Sequence, residues 1–407
     1  MPEYLPSPSN LLSATIRRGH PGFLDLPWGV PLDEWKNCCP RVEELPRGLS
    51  RHPVLFVSYD DALYALKELP DGLAVREYDV LRELEERRLP SVRPVGHARV
   101  RQNDLVVSLL ITQYLDHAMP YHALFMRSSL VRYRDHLLDA MAVLLVQLHL
   151  AGVFWGDCSL SNTLFRRDAG RLNAYFVDGE TSEVRDEISD GMRRSDLDIM
   201  LENVYGGLLD LDAMGSLPAR FPVDDIGPYI RSKYEALWHQ VTREEVVRAD
   251  EQFRIEERVR ALNDLGFSVD QIDLFAAETG DRLRLRAQVA DRHFHRDTLH
   301  SLTGLDPEEM QARQMLNEIN ERRAILSAHE NRSIPLSSAA HNWLRETYLP
   351  TVQKLLDGLP KSVDPAEIYC QLLEHKWYLS ERAGHDVGLA AAIADFVRGD
   401  LRHVREA

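Results

Sequence analysis

Between residues 54 and 178 the apolar pattern changes period in a fixed order, and that order limits the fold more than any other feature. Two apolar runs, Val54–Tyr59 and Ala62–Leu69, are parted only by Asp60-Asp61 and read as a hairpin. Val75, Tyr78, Leu81 and Leu84 then share one helical face, with Pro90 as the stop. Strands follow around 92–100 and 105–115, turning at Arg101–Asp104. The next stretch, Tyr121–Ala151, predicts one long helix closed by Gly152. A polar loop leads to strands at Thr163–Arg166 and Asn173–Val177 around an Asp168-Ala169-Gly170 turn, and a helix spans 195–211. Strands first and helices afterwards predict a two-lobed α+β domain.

The flanks differ from this middle. At 407 residues the chain exceeds one ordinary core. Residues 1–50, rich in proline and turn formers, read as an N-terminal arm packing on a domain that occupies 51–222. Residues 223–407 read as a mostly helical C-terminal domain with a small β-hairpin, its turn at Thr279-Gly280-Asp281. Helix starts are expected at Thr242-x-x-Glu245, at Asp306-Pro307 and at Asp364-Pro365, with Gly266 closing the helix over 258–265.

Composition removes several classes of function. The formal net charge is -16, whereas a nucleic-acid binder needs a basic excess, so no nucleic-acid partner is expected. The four cysteines (Cys38, Cys39, Cys158 and Cys370) form no CxxC pair, and free thiols in a reducing cytoplasm are expected. No secretory signal and no apolar run of transmembrane length stand out.

Phosphoryl transfer from a nucleotide needs a cation on the phosphates, oxygen ligands for a metal, and a base for the acceptor hydroxyl. Lys67 lies in a strand pattern, where a solvated edge lysine is the plain alternative, and Glu77 lies ten residues on in the amphipathic helix. Asp157-Cys158-Ser159-Leu160-Ser161-Asn162 has D-x-x-x-x-N spacing between a helix and a strand. Sixteen residues further, an apolar strand delivers Asp178-Gly179. Asp and Asn are common loop residues, so the order of the whole set is the signal.

LHLAGVFWGDCSLSNTLF followed by AYFVDGE resembles the catalytic core of atypical kinases of the lipopolysaccharide-kinase and aminoglycoside-phosphotransferase type. The resemblance implies a protein-kinase-like domain using ATP and Mg2+. It implies Asp157 as catalytic base, Asn162 and Asp178 as metal ligands, Lys67 on the phosphates with Glu77 as its partner, and Glu180 as an outer contact. ITQYLDHAMPYH resembles the inter-lobe hinge, placing Gln113, Tyr114 and Leu115 against adenine. Either Asp196 or Asp198 would brace the catalytic loop. RVRALNDLGF, HSLTGLDPEEMQARQMLNEI and DPAEIYCQLLEHKWYLSERAGHDVG resemble an uncharacterised actinobacterial domain that follows such a kinase-like domain.

Two positions depart from the kinase pattern. Trp155 stands where a histidine is usual, and Gly48 is the only glycine in the region before Lys67. The expectation is therefore a phosphotransferase acting on a hydroxyl of a small molecule or protein; the alternative is a nucleotide-binding pseudokinase serving as an interaction module.

Other clusters are weaker. His293, His295 and His300 would share a face on a strand, but nothing at recognised spacing completes a zinc site. Glu374, His375 and His385 do not make HExxH. Leu372, Leu373, Tyr378 and Leu379 read as a helix core stripe. Arg284, Arg286 and His293 lie in a basic stretch for which packing against the kinase-like lobe is the plainer reading and holding an anionic acceptor the other.

Overall fold

The computed structural model describes residues 10–45, 51–60, 62–102, 105–126, 130, 133, 136–218, 221–243, 245–248, 257, 271–276, 282–288, 294–357, 359–360 and 363–399, with backbone alone for 245–248, 271–276, 282–288 and 294. The chain divides into two compact units. The first comprises Met1–Ala123, Asp139–Phe165 and Ala174–Tyr234, and the second Leu124–Leu138, Arg166–Asn173 and Glu235–Ala407.

The first unit opens on strands β1 (Leu11–Ile16) and β2 (Val42–Glu43), then β3 (Val54–Tyr59) and β4 (Ala62–Pro70), the hairpin read from the sequence. Helix α1 (Leu73–Glu86) precedes β5 (Pro94–Gln102) and β6 (Leu105–Gln113). These six strands form one antiparallel sheet in the order β1-β5-β6-β4-β3-β2. The N-terminal segment joins it twice, through β1 against β5 and β2 against β3. Between those strands it buries Phe23, Leu26, Trp28, Leu32 and Trp35 in one cluster with Val57, Tyr64 and Leu66. Burial of aromatics on that scale fixes a proline-rich segment whose regular structure between the strands is one short 3-10 helix, Leu32–Asn37.

Beyond the sheet come β7 (Met119–Pro120), α2 (Tyr121–Met126), α3 (Leu137–Leu150), β8 (Val153–Phe154), β9 (Thr163–Asp168), β10 (Arg171–Phe176), β11 (Glu183–Val184), α4 (Asp190–Ala213) and α5 (Ile226–Thr242). Strands β10, β9 and β7 form one small sheet, and β8 pairs with β11. The expected single helix over 121–151 is interrupted: among the described residues α2 ends at Met126, His136 lies in a turn, and α3 begins at Leu137. Leu130 and Tyr133 between them are buried, and Leu124–Leu138 belongs to the second unit. Gly152 does close α3, in the left-handed region at φ +77, where a side chain would collide with the carbonyl of Arg185. Ser189 caps α4 by accepting from the Met192 amide.

In the second unit, β12 (Glu245–Arg248) and β13 (Gln271–Ala276) flank β14 (Arg282–Gln288). The expected hairpin is present as β13 and β14, while its turn and Gly266 lie outside the described residues. The helix expected from Thr242 does not start there. The Thr242 hydroxyl donates back to the Trp238 carbonyl, 2.8 Å, within α5, and the β-branched run after Glu245 takes a strand.

Helices α6 (Phe294–Thr303), α7 (Glu309–Glu330), α8 (Leu336–Trp343), α9 (Leu349–Leu356), α10 (Pro365–Ala383) and α11 (Leu389–Arg398) complete the unit. Helix α7 starts two residues later than expected. Glu308 and Gln311 make its capping box, while Asp306 pairs with Arg296 at 2.7 Å. Asp364 caps α10 as expected, accepting from the Ala366 and Glu367 amides. Leu299, Met315, Ile319, Trp343 and Tyr369 form the helical core. The α10 stripe is Ile368, Tyr369, Cys370 and Leu372, and Tyr378 is exposed.

A buried carboxylate cluster also lies in this unit. Glu367, fully buried, accepts from the Ala169 amide at 2.8 Å, the Gly170 amide at 3.3 Å, the Gln311 side chain at 2.8 Å and the Tyr133 hydroxyl. Those two amides form the turn between β9 and β10, with Ala169 at φ +50 and Gly170 at φ +84. Asp168 accepts from the Gln311 amide at 2.9 Å, and Glu308 pairs with Arg166 at 2.7 Å. Burial, then the nearby Glu308 charge, pushes the Asp168 carboxyl up to about 7.

Candidate active site

A cleft of about 710 Å³ lies in the first unit, between strands β3, β4 and β6, the loop 157–164, the Asp178 segment and α4. Lys67 sits on β4 in register between Val54 of β3 and Leu110 of β6. Its ammonium lies 3.1 Å from Glu77 and 2.6 Å from Asp178. Glu77 is on the inner face of α1 with Tyr78 and Leu81, and its side chain is sealed from solvent, whereas that of Asp178 is 23% exposed.

The electrostatics follow from that difference. Burial pushes the Glu77 carboxyl up to about 7; Lys67 pulls it down and the Asp178 charge adds to the rise. Burial alone would lower the Lys67 ammonium, but the two carboxylates outweigh it and hold it above the ordinary lysine value. Lys67 stays charged, and Asp178 is the carboxylate of the pair that faces the cleft.

One buried side chain organises the loop before Asp157. Asp196 of α4 accepts from the amides of Trp155 (2.7 Å) and Gly156 (2.8 Å), from His149 Nε2 (3.0 Å) and from the Cys158 thiol (3.4 Å). Because a carboxylate only accepts, His149 must carry its proton on Nε2, leaving Nδ1 to accept from Tyr234, 2.6 Å away. Burial lowers the His149 imidazole, against the pull of Asp196, and keeps it neutral. Asp196 is therefore the side chain that braces the loop, while Asp198 pairs with Arg231 at the surface.

Trp155, fully buried, ties the loop to the Asp178 segment. Its indole donates to the Asp178 carbonyl at 3.3 Å, and its own carbonyl accepts from Thr181 (3.1 Å) and Ser182 (2.8 Å). Its ring packs on Phe176 at 5.0 Å.

Asp157 and Asn162 lie together. The Asn162 amide donates to Asp157 Oδ2 at 3.0 Å and to the Asp157 carbonyl at 3.1 Å, which turns the Asn162 carbonyl oxygen away from Asp157. The second carboxylate oxygen accepts from Asn203 of α4 at 2.9 Å. Gln113, Tyr114 and Leu115 line the same cleft, with Tyr114 edge-on to Phe56 at 5.5 Å. Glu180 donates its amide to Asp178 Oδ1 at 3.1 Å, and its carboxylate pairs with His52 at 3.3 Å.

The structure thus brings Lys67, Asp178, Asp157, Asn162 and the 113–115 segment to one cleft, with Glu77 sealed behind Lys67. Sequence reasoning missed Asn203, His149 and His52. Asn203 stands seven residues past Asp196, two helical turns on the same face, which was a usable signal. Gly48 lies outside the described residues, as do His293 and the side chains of Arg284 and Arg286. His295 starts a helix rather than lying on a strand, and pairs with Glu309 at 2.6 Å. Among the described residues, no three His, Cys, Asp or Glu side chains converge as a metal cage.

A strand-rich lobe carrying Lys67, followed by a helix-bounded loop carrying Asp157 and Asn162, defines a kinase-like α+β fold. Residues 60–212 match the Lipopolysaccharide kinase (Kdo/WaaP) family, and residues 236–401 match a Domain of unknown function, DUF4032. The chain therefore joins a lipopolysaccharide-kinase-like region to this C-terminal domain, as its motifs indicated. Among solved structures, one described as WaaP in complex with acyl carrier protein is 18% identical, with a TM-score of 0.35, covering 62% of this chain and 99% of its own. No curated protein matches. No helix among the described residues is long and apolar enough to cross a membrane.

Proposed function

We propose that this chain is an ATP- and magnesium-dependent phosphotransferase that moves the γ-phosphoryl group to a hydroxyl of a small-molecule or protein acceptor. The observation that carries this reading is the Lys67–Glu77–Asp178 ion cluster sharing one cleft with the amide-held Asp157. In this reading Lys67 draws on the phosphates, and Gln113, Tyr114 and Leu115 present backbone to adenine. Asp157 takes the proton of the acceptor hydroxyl as its oxygen bonds the γ-phosphorus. The bond to the bridging oxygen then breaks, and ADP leaves with that electron pair.

The donor set fits magnesium. Asp178 and the outward carbonyl of Asn162 are hard oxygens, and magnesium keeps waters and phosphate oxygens, so it needs few protein ligands. The cleft is lined by Asp157, Asp178, Glu180, Glu202 and Asp210 against Arg51 and Lys67, so bare ATP would meet a carboxylate surplus. A bound divalent cation supplies the charge neutralisation that the surplus calls for. Residues 51–222 are proposed as the kinase-like domain, 1–50 as the arm on it and 223–407 as the C-terminal domain. The cytoplasm is the proposed location, supported by four unbridged cysteines.

The test measures MgATP turnover and MgADP affinity in the full chain. Asp157→Asn should remove turnover and leave MgADP affinity within about twofold, because the base meets the acceptor and not the nucleotide. Lys67→Ala should weaken both. MgADP binding without turnover, unaltered in Asp157→Asn, would instead make the chain a nucleotide-binding pseudokinase.

A further inference from the structure

Among the described residues, Asn203 makes a side-chain hydrogen bond to Asp157 that no kinase-like motif supplied. We infer that Asn203 is a positioning residue for phosphoryl transfer, setting the direction of the Asp157 carboxylate; the inference rests on the assignment of Asp157 as base.

The geometry is specific. Asp157 has two carboxylate oxygens, and each receives one side-chain amide: Oδ2 from Asn162 and Oδ1 from Asn203, at 3.0 and 2.9 Å. The two donors come from different elements. Asn162 belongs to the same loop as Asp157 and moves with it. Asn203 is fixed to α4, whose buried stripe of Asp196, Leu197, Met200, Val204 and Leu208 anchors it to the core. Among the described residues, Asn203 alone ties the carboxylate to a rigid reference outside the loop.

The same helix already holds the preceding residues. Asp196 receives the amides of Trp155 and Gly156. Seven residues of helix rise about 10 Å, close to the reach of three extended residues. One face of α4 therefore grips Trp155 and Gly156 by their backbone at one turn and Asp157 by its side chain two turns later. A carboxylate with one donor can rotate about its last torsion; with two donors from independent elements it cannot do so without breaking a bond. Asn162 also has a second task in the proposed mechanism, offering its carbonyl to a metal. Asn203 is left as the residue whose role is orientation alone.

The experiment uses the full chain with MgATP, water serving as acceptor, and MgADP as the binding probe. Asn203→Ala should lower the turnover number about tenfold while MgADP affinity stays within twofold. Asn203→Asp should fall below Asn203→Ala, because a like charge against Asp157 turns the carboxylate away. Asn203→Ser, which keeps a hydrogen-bond donor, should recover part of the loss. The split between turnover and affinity, and the order Ser above Ala above Asp, are what a mere packing role would not produce. Turnover in Asn203→Ala equal to wild type would overturn the assignment while leaving the phosphotransferase reading intact. So would a loss matched by equal losses in MgADP affinity and melting temperature. A wild-type chain that binds MgADP but turns over no MgATP would overturn the phosphotransferase reading, and this assignment with it.

Discussion

Replacing Glu367 by alanine should loosen the turn between β9 and β10 by an amount that the structure sets. Glu367 is fully buried and is the acceptor for the Ala169 and Gly170 amides. Alanine leaves both backbone donors without a partner, at about 1–3 kcal/mol each. Removing a buried carboxylate returns part of its desolvation cost, so a net local loss of about 3 kcal/mol is expected. At roughly 1.4 kcal/mol per decade, that is about a hundredfold faster hydrogen exchange of these two amides. Glu367→Gln keeps one accepting oxygen and should fall between. The assay is hydrogen–deuterium exchange of the full chain, read on a peptide spanning Arg166–Asn173. Peptides from β3 and β4 serve as internal reference, since they share no bond with Glu367. Exchange of the turn amides within threefold of wild type in Glu367→Ala would refute the reasoning.

Other perturbations follow from the same contacts. Asp196→Ala orphans the Trp155 and Gly156 amides and removes the acceptor of His149 Nε2. It should cost about 3 kcal/mol in denaturant unfolding and abolish MgATP turnover; an unfolding midpoint equal to wild type would sink this account. Asp168 and Glu77 both have carboxyls raised to about 7, so the folded state binds their protons more tightly than the unfolded chain does. That stabilisation is complete below the ordinary carboxylate range and is lost as pH rises through about 7. Asp168→Asn should therefore reduce the fall in stability between pH 5 and pH 7.5, and an unchanged slope would count against the Asp168 assignment. MgATP at a hundredfold excess over its dissociation constant should stabilise the full chain by about 2.7 kcal/mol in thermal unfolding, and Asp178→Ala should remove the magnesium-dependent part.

The sequence spoke most clearly where local chemistry decides structure. The hairpin of β3 and β4, helix α1, the Asp168-Ala169-Gly170 turn and the Asp364 cap all follow from short-range pattern, and the structure has them. Spacing and strand context were enough to list Lys67, Glu77, Asp157, Asn162 and Asp178 together. What failed depends on partners far along the chain. Tyr133 looked like part of one long helix because its hydrogen bond to Glu367, 234 positions away, leaves no local trace. Thr242 satisfied a capping pattern, yet its hydroxyl was spent on the preceding turn. Trp155 read as a loss relative to histidine, but its indole still reaches the Asp178 carbonyl.

The tip of the β9–β10 hairpin belongs to the second unit, and this gives the chain an order of assembly in time. Thr163, where β9 begins, directly follows Asn162, and β10 ends at Phe176, two residues before Asp178. During synthesis both of these residues leave the ribosome well before Glu367, which lies 189 positions beyond Asp178. At about 5–20 residues per second, that gap lasts on the order of 10–40 s. Throughout it the nascent hairpin has its strands but not the acceptor for its turn amides. The turn amides of Ala169 and Gly170 gain that acceptor only when α10 has been made. A ribosome that stalls in the C-terminal third therefore releases a product that contains Lys67, Asp157, Asn162 and Asp178 but lacks the acceptor for the turn amides of the hairpin between the last two.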